Sequence, residues 1–252
     1  GEIVLCGIHL GRWGSDLPEG GDLADLLEGL DRLFDGGKAR LRISSVEPLE
    51  WTDKLLGRVA ERPWICRHFH VPVQSLADGV LRAMGRPYRA QQALDVLDGM
   101  RQRFPHALLG TDLLVGFPGE SDEQAEATLE ALRTSPLEHL HVFTYSARPG
   151  TVAAQLPGQL DAQVVRGRAK LLRELADGRW QAFMERGLGQ EHQVLVESGG
   201  AGHFRGHSEH YRPMRLRADE PGGLKLGSLQ WVRAEKLAGQ QLEGVVSSST
   251  QS

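Results

Sequence analysis

Between residues 2 and 146, five short apolar, β-branched runs alternate with amphipathic stretches. That alternation is the signature of repeated strand-helix units around a parallel sheet. "EIVLCGI" (2–8) precedes "DLADLLEGLDRLF" (22–34), where Leu23, Leu26, Leu27, Leu30 and Leu33 follow helical spacing. "RLRISS" (40–45) precedes "WTDKLLGRVAE" (51–61), with Thr52 or Asp53 as N-cap. "FHVPVQS" (69–75) leads to a helix around 91–104, and "ALLGTDLLVGF" (107–117) leads to a helix over 121–134 that Ser121 can cap. "HLHVFTYS" (139–146) is the fifth strand. Five such units predict an α/β fold with a barrel-like sheet.

Residues 161–189 read as one long helix with Gly178 as its weak point. Beyond Gly189 the pattern changes to strands and glycine-rich turns, so the expected domains are 1–188 and a small all-β unit at 189–246. The polar tail 247–252 is expected to be disordered. The chain opens at Gly1 inside a strand-like run, which reads as a fragment.

With 252 residues, 40% of them hydrophobic, a sizeable core can form. The net charge of −4 gives no global basic field, so a nucleic-acid partner would need a local patch. Two cysteines, Cys6 and Cys66, cannot make a disulfide scaffold, which points to a reducing compartment. No apolar stretch approaches the ~20 residues that span a bilayer. A cytoplasmic protein with no membrane partner is expected.

In parallel α/β folds, ligands gather at the carboxyl ends of strands. Here those ends carry His9; Ser44, Ser45 and Glu47; His70, Gln74 and Ser75; Asp112; and Tyr145, Ser146 and Arg148. Asp112 can cap a turn, pair with an arginine or accept from a ribose diol; the Gly116-Phe117-Pro118-Gly119 turn after it lets backbone approach a flat ligand. Gln74 and Arg86 stand twelve residues apart, each with a bland reading as backbone partner or solvated charge. His68 and His70 share a strand face without a third metal ligand in sequence, so no metal site is expected. No nucleophile elbow, P-loop or dinucleotide fingerprint is present.

"GEIVLCGIHLGRWG", "RLRISSVEPLEW", "HFHVPVQSLADGVLRAMGRPY", "GTDLLVGFPGESDEQAEATL" and "LHVFTYSARPGTVAAQL" occur in one order. In that order and spacing they resemble the radical S-adenosylmethionine (SAM) tRNA methylthiotransferases. "RISSVEP" with "CGIHLGRWG" most resembles the branch acting on N6-threonylcarbamoyladenosine, rather than on the isopentenyl nucleoside. The resemblance implies a partial TIM-like (β/α) radical SAM barrel lacking its first strand, followed by a small TRAM-like β-barrel. It implies methylthiolation of C2 of the modified adenosine at tRNA position 37 by radical chemistry.

The implied cofactors are S-adenosyl-L-methionine and two 4Fe-4S clusters. Gln74 and Asp112 would hold the ribose and Arg86 the methionyl carboxylate; Gly116 and Phe117 would pack near the adenine, with Ser44, Glu47, His70 and Tyr145 completing the wall. The family's Cys-x-x-x-Cys-x-x-Cys motif is absent, so the cluster ligands are not in this chain and the chain alone is expected to be inactive. Leu76 also replaces a glycine usual in the family. The implied partners are a tRNA anticodon stem-loop and an electron donor such as flavodoxin or ferredoxin. Arg205, Tyr211, Arg212, Arg215 and Arg217 form the expected RNA patch. Two rival readings are a non-catalytic RNA-binding scaffold on the same fold and an unrelated barrel enzyme acting on a phosphorylated small molecule.

Overall fold

Short strands and capped helices alternate through the first two thirds of the chain, in a computed structural model that describes residues 1–34, 36–218 and 223–247. The order is β1 (Glu2–Leu5), α1 (Leu23–Gly29), α2 (Asp31–Phe34), β2 (Arg40–Ile43), α3 (Asp53–Ala60), β3 (His68–His70), α4 (Asp78–Ala83), α5 (Ala90–Arg103), β4 (Leu108–Val115), α6 (Asp122–Thr134), β5 (His139–Thr144), α7 (Val152–Gln155) and α8 (Ala162–Glu185). Side-chain caps start several helices: Thr52 accepts from Leu55 N–H, and Asp22 with Asp25, and Ser121 with Gln124, make reciprocal boxes.

β1 pairs parallel with β2, and β3, β4 and β5 form a second parallel set. A bridge from Leu41 to Ile65 and the Val46 N–H bonded to His70 O at 3.1 Å connect the two sets. Strand alternation sends Leu41, Ile43, Phe69, Leu109 and Leu113 into one core with Leu27, Leu55 and Leu97 of the helices. Among the described residues β1 has no second neighbour, leaving Ile3 and Val4 half exposed at a sheet edge.

The strand expected over 69–75 is shorter and earlier. Pro72 lacks an N–H for the ladder, and Gln74 has φ of 62°. The helix expected over 161–189 ends at Glu185 and runs unbroken through Gly178, with α8 packed on β5, β4 and α6 and its last turn in the β-barrel core. The 248–252 portion of the expected disordered tail lies outside the described residues.

Five further strands follow: β6 (Glu191–Gly200), β7 (His203–Ser208), β8 (Pro213–Arg217), β9 (Leu229–Ala238) and β10 (Gln241–Val246). They close into a barrel in the order β10-β8-β7-β6-β9. Its core holds Val194, Val196, Phe204, Met214, Leu216, Val232 and Leu242, and the end of α8 adds Phe183 and Met184. No helix of the described residues is long and apolar enough to cross a membrane.

Candidate functional site

Three strands of the parallel sheet read polar-apolar-polar: Arg40-Leu41-Arg42, His68-Phe69-His70 and His139-Leu140-His141. The apolar members enter the helical core, so period-two geometry turns the polar members to the opposite face, where Asp112 of β4 joins them.

At the carboxyl end of this strip, His70 Nε2 lies 3.3 Å and His141 Nδ1 3.8 Å from Asp112 Oδ1. His139 Nδ1 lies 3.4 Å from His141 Nε2 and its ring packs on Trp180 of α8. Burial alone would raise the Asp112 carboxyl; the His70 hydrogen bond and the neighbouring histidine charges outweigh it and hold the group below its ordinary value. Burial, then the His141 and His70 charges, push His139 down to about 4. At neutral pH the site therefore presents a carboxylate among imidazoles of which His139 is neutral.

At the amino end of the strip, Glu2 accepts from Arg40 at 2.7 Å and from Arg42 at 2.8 and 2.9 Å. These arginines also reach the β-barrel: Arg40 donates to the Gln193 and His207 carbonyls and Arg42 to that of Ser208. Tyr211 stacks on His68 and His207 with ring centroids at 4.7 and 4.9 Å, and the Arg42 guanidinium lies against its ring. The β7–β8 turn thus closes this end of the strip.

The other expected cofactor residues divide. Gln74 N–H donates to the Asp112 carbonyl at 2.9 Å, and its positive φ is a strained conformation for glutamine next to the key carboxylate. Gln74 nevertheless lines a separate cavity of about 200 Å³ with Thr128 and Arg168, so the structure joins it to Asp112 through backbone. Arg86 and Glu47 hold each other at 3.0 Å beside a cavity of about 400 Å³. Ser44, half-buried after β2, has its N–H bonded to Leu5 O.

Phe117 and Tyr145 meet edge to face at 5.6 Å, and among the described residues the buried Tyr145 hydroxyl has no hydrogen-bond partner. Gly116 has a packing reason of its own: with φ of 80°, a Cβ there would stand 2.5 Å from Val165 of α8. At this position the lack of a side chain is required by that helix.

Two members of the expected RNA patch point elsewhere. Arg212 is buried, donates to Phe183 O and stacks its guanidinium on the Phe183 ring at 3.7 Å. Tyr211 spends its ring on His68 and His207. Arg205, Arg215 and Arg217 are exposed on adjoining β7 and β8, with Arg205 paired across from Arg215.

The matched family description is the Radical SAM superfamily, over residues 8–132. The threonylcarbamoyladenosine tRNA methylthiotransferase of Thermotoga maritima is 33% identical over 247 residues, 98% of this chain and 54% of its own length. The chain belongs to the radical SAM tRNA methylthiotransferase family. A second methylthiotransferase, the tRNA-2-methylthio-N(6)-dimethylallyladenosine synthase of Mycolicibacterium gilvum, is 36% identical over 242 residues, 88% of this chain and 47% of its own. The chain spans about half the length of these methylthiotransferase relatives. The fold itself is like that of coproporphyrinogen III oxidase from Escherichia coli, a radical SAM enzyme, with a TM-score of 0.51 over 74% of this chain and 50% of that one at 16% identity.

For a radical SAM methylthiotransferase, the SAM donor set fits the strand ends: an ionised Asp112 for hydroxyls and the orphaned Tyr145 hydroxyl beside the Phe117 ring. A 4Fe-4S cluster does not fit the residues of this chain. Cluster ligation takes three thiolates, whereas Cys6 is exposed after β1 and Cys66 is buried beside Glu2, its thiol pushed up to about 12 chiefly by burial.

Sequence reasoning missed Glu2, Arg40, Arg42, His139 and His141 as parts of the polar strip. The signal for most of them was the period-two alternation in "RLR" and "HLH".

Proposed function

We propose that the chain is the SAM-binding core and RNA-contacting β-barrel of an enzyme that methylthiolates C2 of N6-threonylcarbamoyladenosine in tRNA. The observation that carries this reading is the methylthiotransferase similarity running the length of the chain, over a polar strip centred on Asp112. When bound, SAM supplies the radical chemistry and the methyl group. In this reading Asp112 accepts from the ribose hydroxyls, His70 and His141 fix its orientation, and Phe117 with Tyr145 flanks the adenine and excludes water. Arg86 meets the methionyl carboxylate only by exchanging its Glu47 partner. The β-barrel is taken as a TRAM-type unit in which Arg205, Arg215 and Arg217 contact tRNA phosphates.

The dimethylallyladenosine relatives support a second substrate branch. The test is nucleoside mass spectrometry of tRNA from cells lacking the full-length gene, before and after complementation. Loss and return of the methylthio group on threonylcarbamoyladenosine supports the proposal. A change confined to the isopentenyl nucleoside moves it to the other branch, and no change in either overturns it.

A further inference from the structure

Away from the strand-end site, the junction of α8 with the β-barrel gathers three groups that sequence spacing does not connect: His192 on β6, and Glu209 and His210 in the β7–β8 turn. One ligand-capable atom from each lies within 4.8 Å of the others. His192 is 3% exposed. Its Nε2 lies 2.9 Å from the Gly187 carbonyl, which can only accept, so the proton sits on Nε2 and the lone pair on Nδ1. Among the described residues, that buried Nδ1 has no hydrogen-bond partner, and neither has the Nδ1 of His210.

A buried, unpaired acceptor is costly unless something fills it. Glu209 is anchored in turn: its Oε2 accepts from Gln193 N–H at 3.0 Å, leaving Oε1, 3.4 Å from His210 Nδ1, turned to the histidines. Two imidazole nitrogens and one carboxylate oxygen, with a backbone carbonyl fixing one ring and a backbone N–H fixing the acid, make up a supported three-ligand set. We propose that His192, Glu209 and His210 form a site for a divalent transition-metal ion of the zinc class.

Nitrogen and carboxylate donors suit zinc better than calcium or magnesium, which take oxygen ligands. His192 and His210 both line a cavity of about 680 Å³ that Arg67, Arg186 and Arg212 also border. An open fourth position there would take water or a small anion, and the arginines favour the anion by charge.

The test is zinc titration of the metal-stripped full chain by calorimetry, alongside cobalt absorption spectra and thermal melts. One equivalent of zinc, four-coordinate cobalt bands and a zinc-dependent rise in Tm are expected. His210→Asn and Glu209→Gln, both in the turn, should each weaken zinc by at least about tenfold and lose the Tm rise. His192→Gln should do the same if its circular dichroism stays native. Zinc affinity equal in wild type and His210→Asn overturns the site. So does loss that follows Asp112→Asn alone, since it places the ion at the strand-end histidines.

Discussion

The His70 imidazole and the Asp112 carboxylate, on neighbouring strands β3 and β4, stand 3.3 Å apart at the carboxyl end of the sheet. The pair keeps a half-buried acid ionised and aimed, which is what a diol-binding carboxylate needs. Asp112→Ala in the full-length, cluster-loaded enzyme should weaken SAM binding by about 1–3 kcal/mol, the cost of stranding hydroxyls. Equilibrium dialysis measures it, and unchanged affinity removes the ribose assignment.

Acid should destabilise the fold through the same strip. His139 titrates at about 4 in the folded chain against an ordinary 6.5, so between those pH values the unfolded state holds the extra proton and stability rises with pH. The full gap corresponds to about 3 kcal/mol. Asp112 adds its share only below its ordinary 3.8, as pH falls through its lowered folded value. Urea midpoints from pH 7 to 4 should therefore fall steadily, and His139→Gln should flatten that slope. An equal slope in the variant would show that the imidazole stays accessible to protons.

Gly116 separates packing from ligand binding. Gly116→Ala meets both the positive φ and the Val165 side chain, and should cost about 2 kcal/mol or more by chemical unfolding. Gly116→Ala with Val165→Ala should recover the clash but not the backbone strain. No recovery in the double variant would mean that α8 is not what forbids a side chain there.

The strand-helix alternation was legible because each βα unit carries its own period, and the caps at Thr52 and Ser121 were legible because they are local. The polar strip was half legible: "HFH" closes β3 at its carboxyl end, where parallel α/β folds gather ligands, whereas the same alternation in "RLR" opens β2 at the other end. Glu2 meets Arg40 only through the β1–β2 pairing of residues 38 apart, which no local pattern encodes. The left-handed backbone of Gln74 was hidden because glutamine is not a turn residue. Arg212 looked like one more cation in a basic run, but the chain turns between β7 and β8 and folds it onto Phe183.

That last difference gives the β-barrel its own test. Arg205, Arg215 and Arg217 are exposed on two antiparallel strands, though Arg215 has Gln241 and Glu243 beside it and Arg217 has Glu235. Exposed pairs of this kind are worth little and can be traded for phosphates. Replacing the three by alanine should weaken binding of an anticodon stem-loop RNA and lower the slope of log K against log salt by about 2, at roughly 0.7 per lost phosphate contact. Arg212→Ala should act differently. It removes a buried cation from the Phe183 ring and carbonyl, so it should lower the unfolding midpoint and leave the salt slope unchanged. Fluorescence anisotropy across a salt series, paired with urea unfolding, distinguishes the two. A reduced slope in Arg212→Ala with normal stability would put that arginine back among the RNA ligands, and equal slopes in wild type and the triple variant would take the exposed face out of RNA binding.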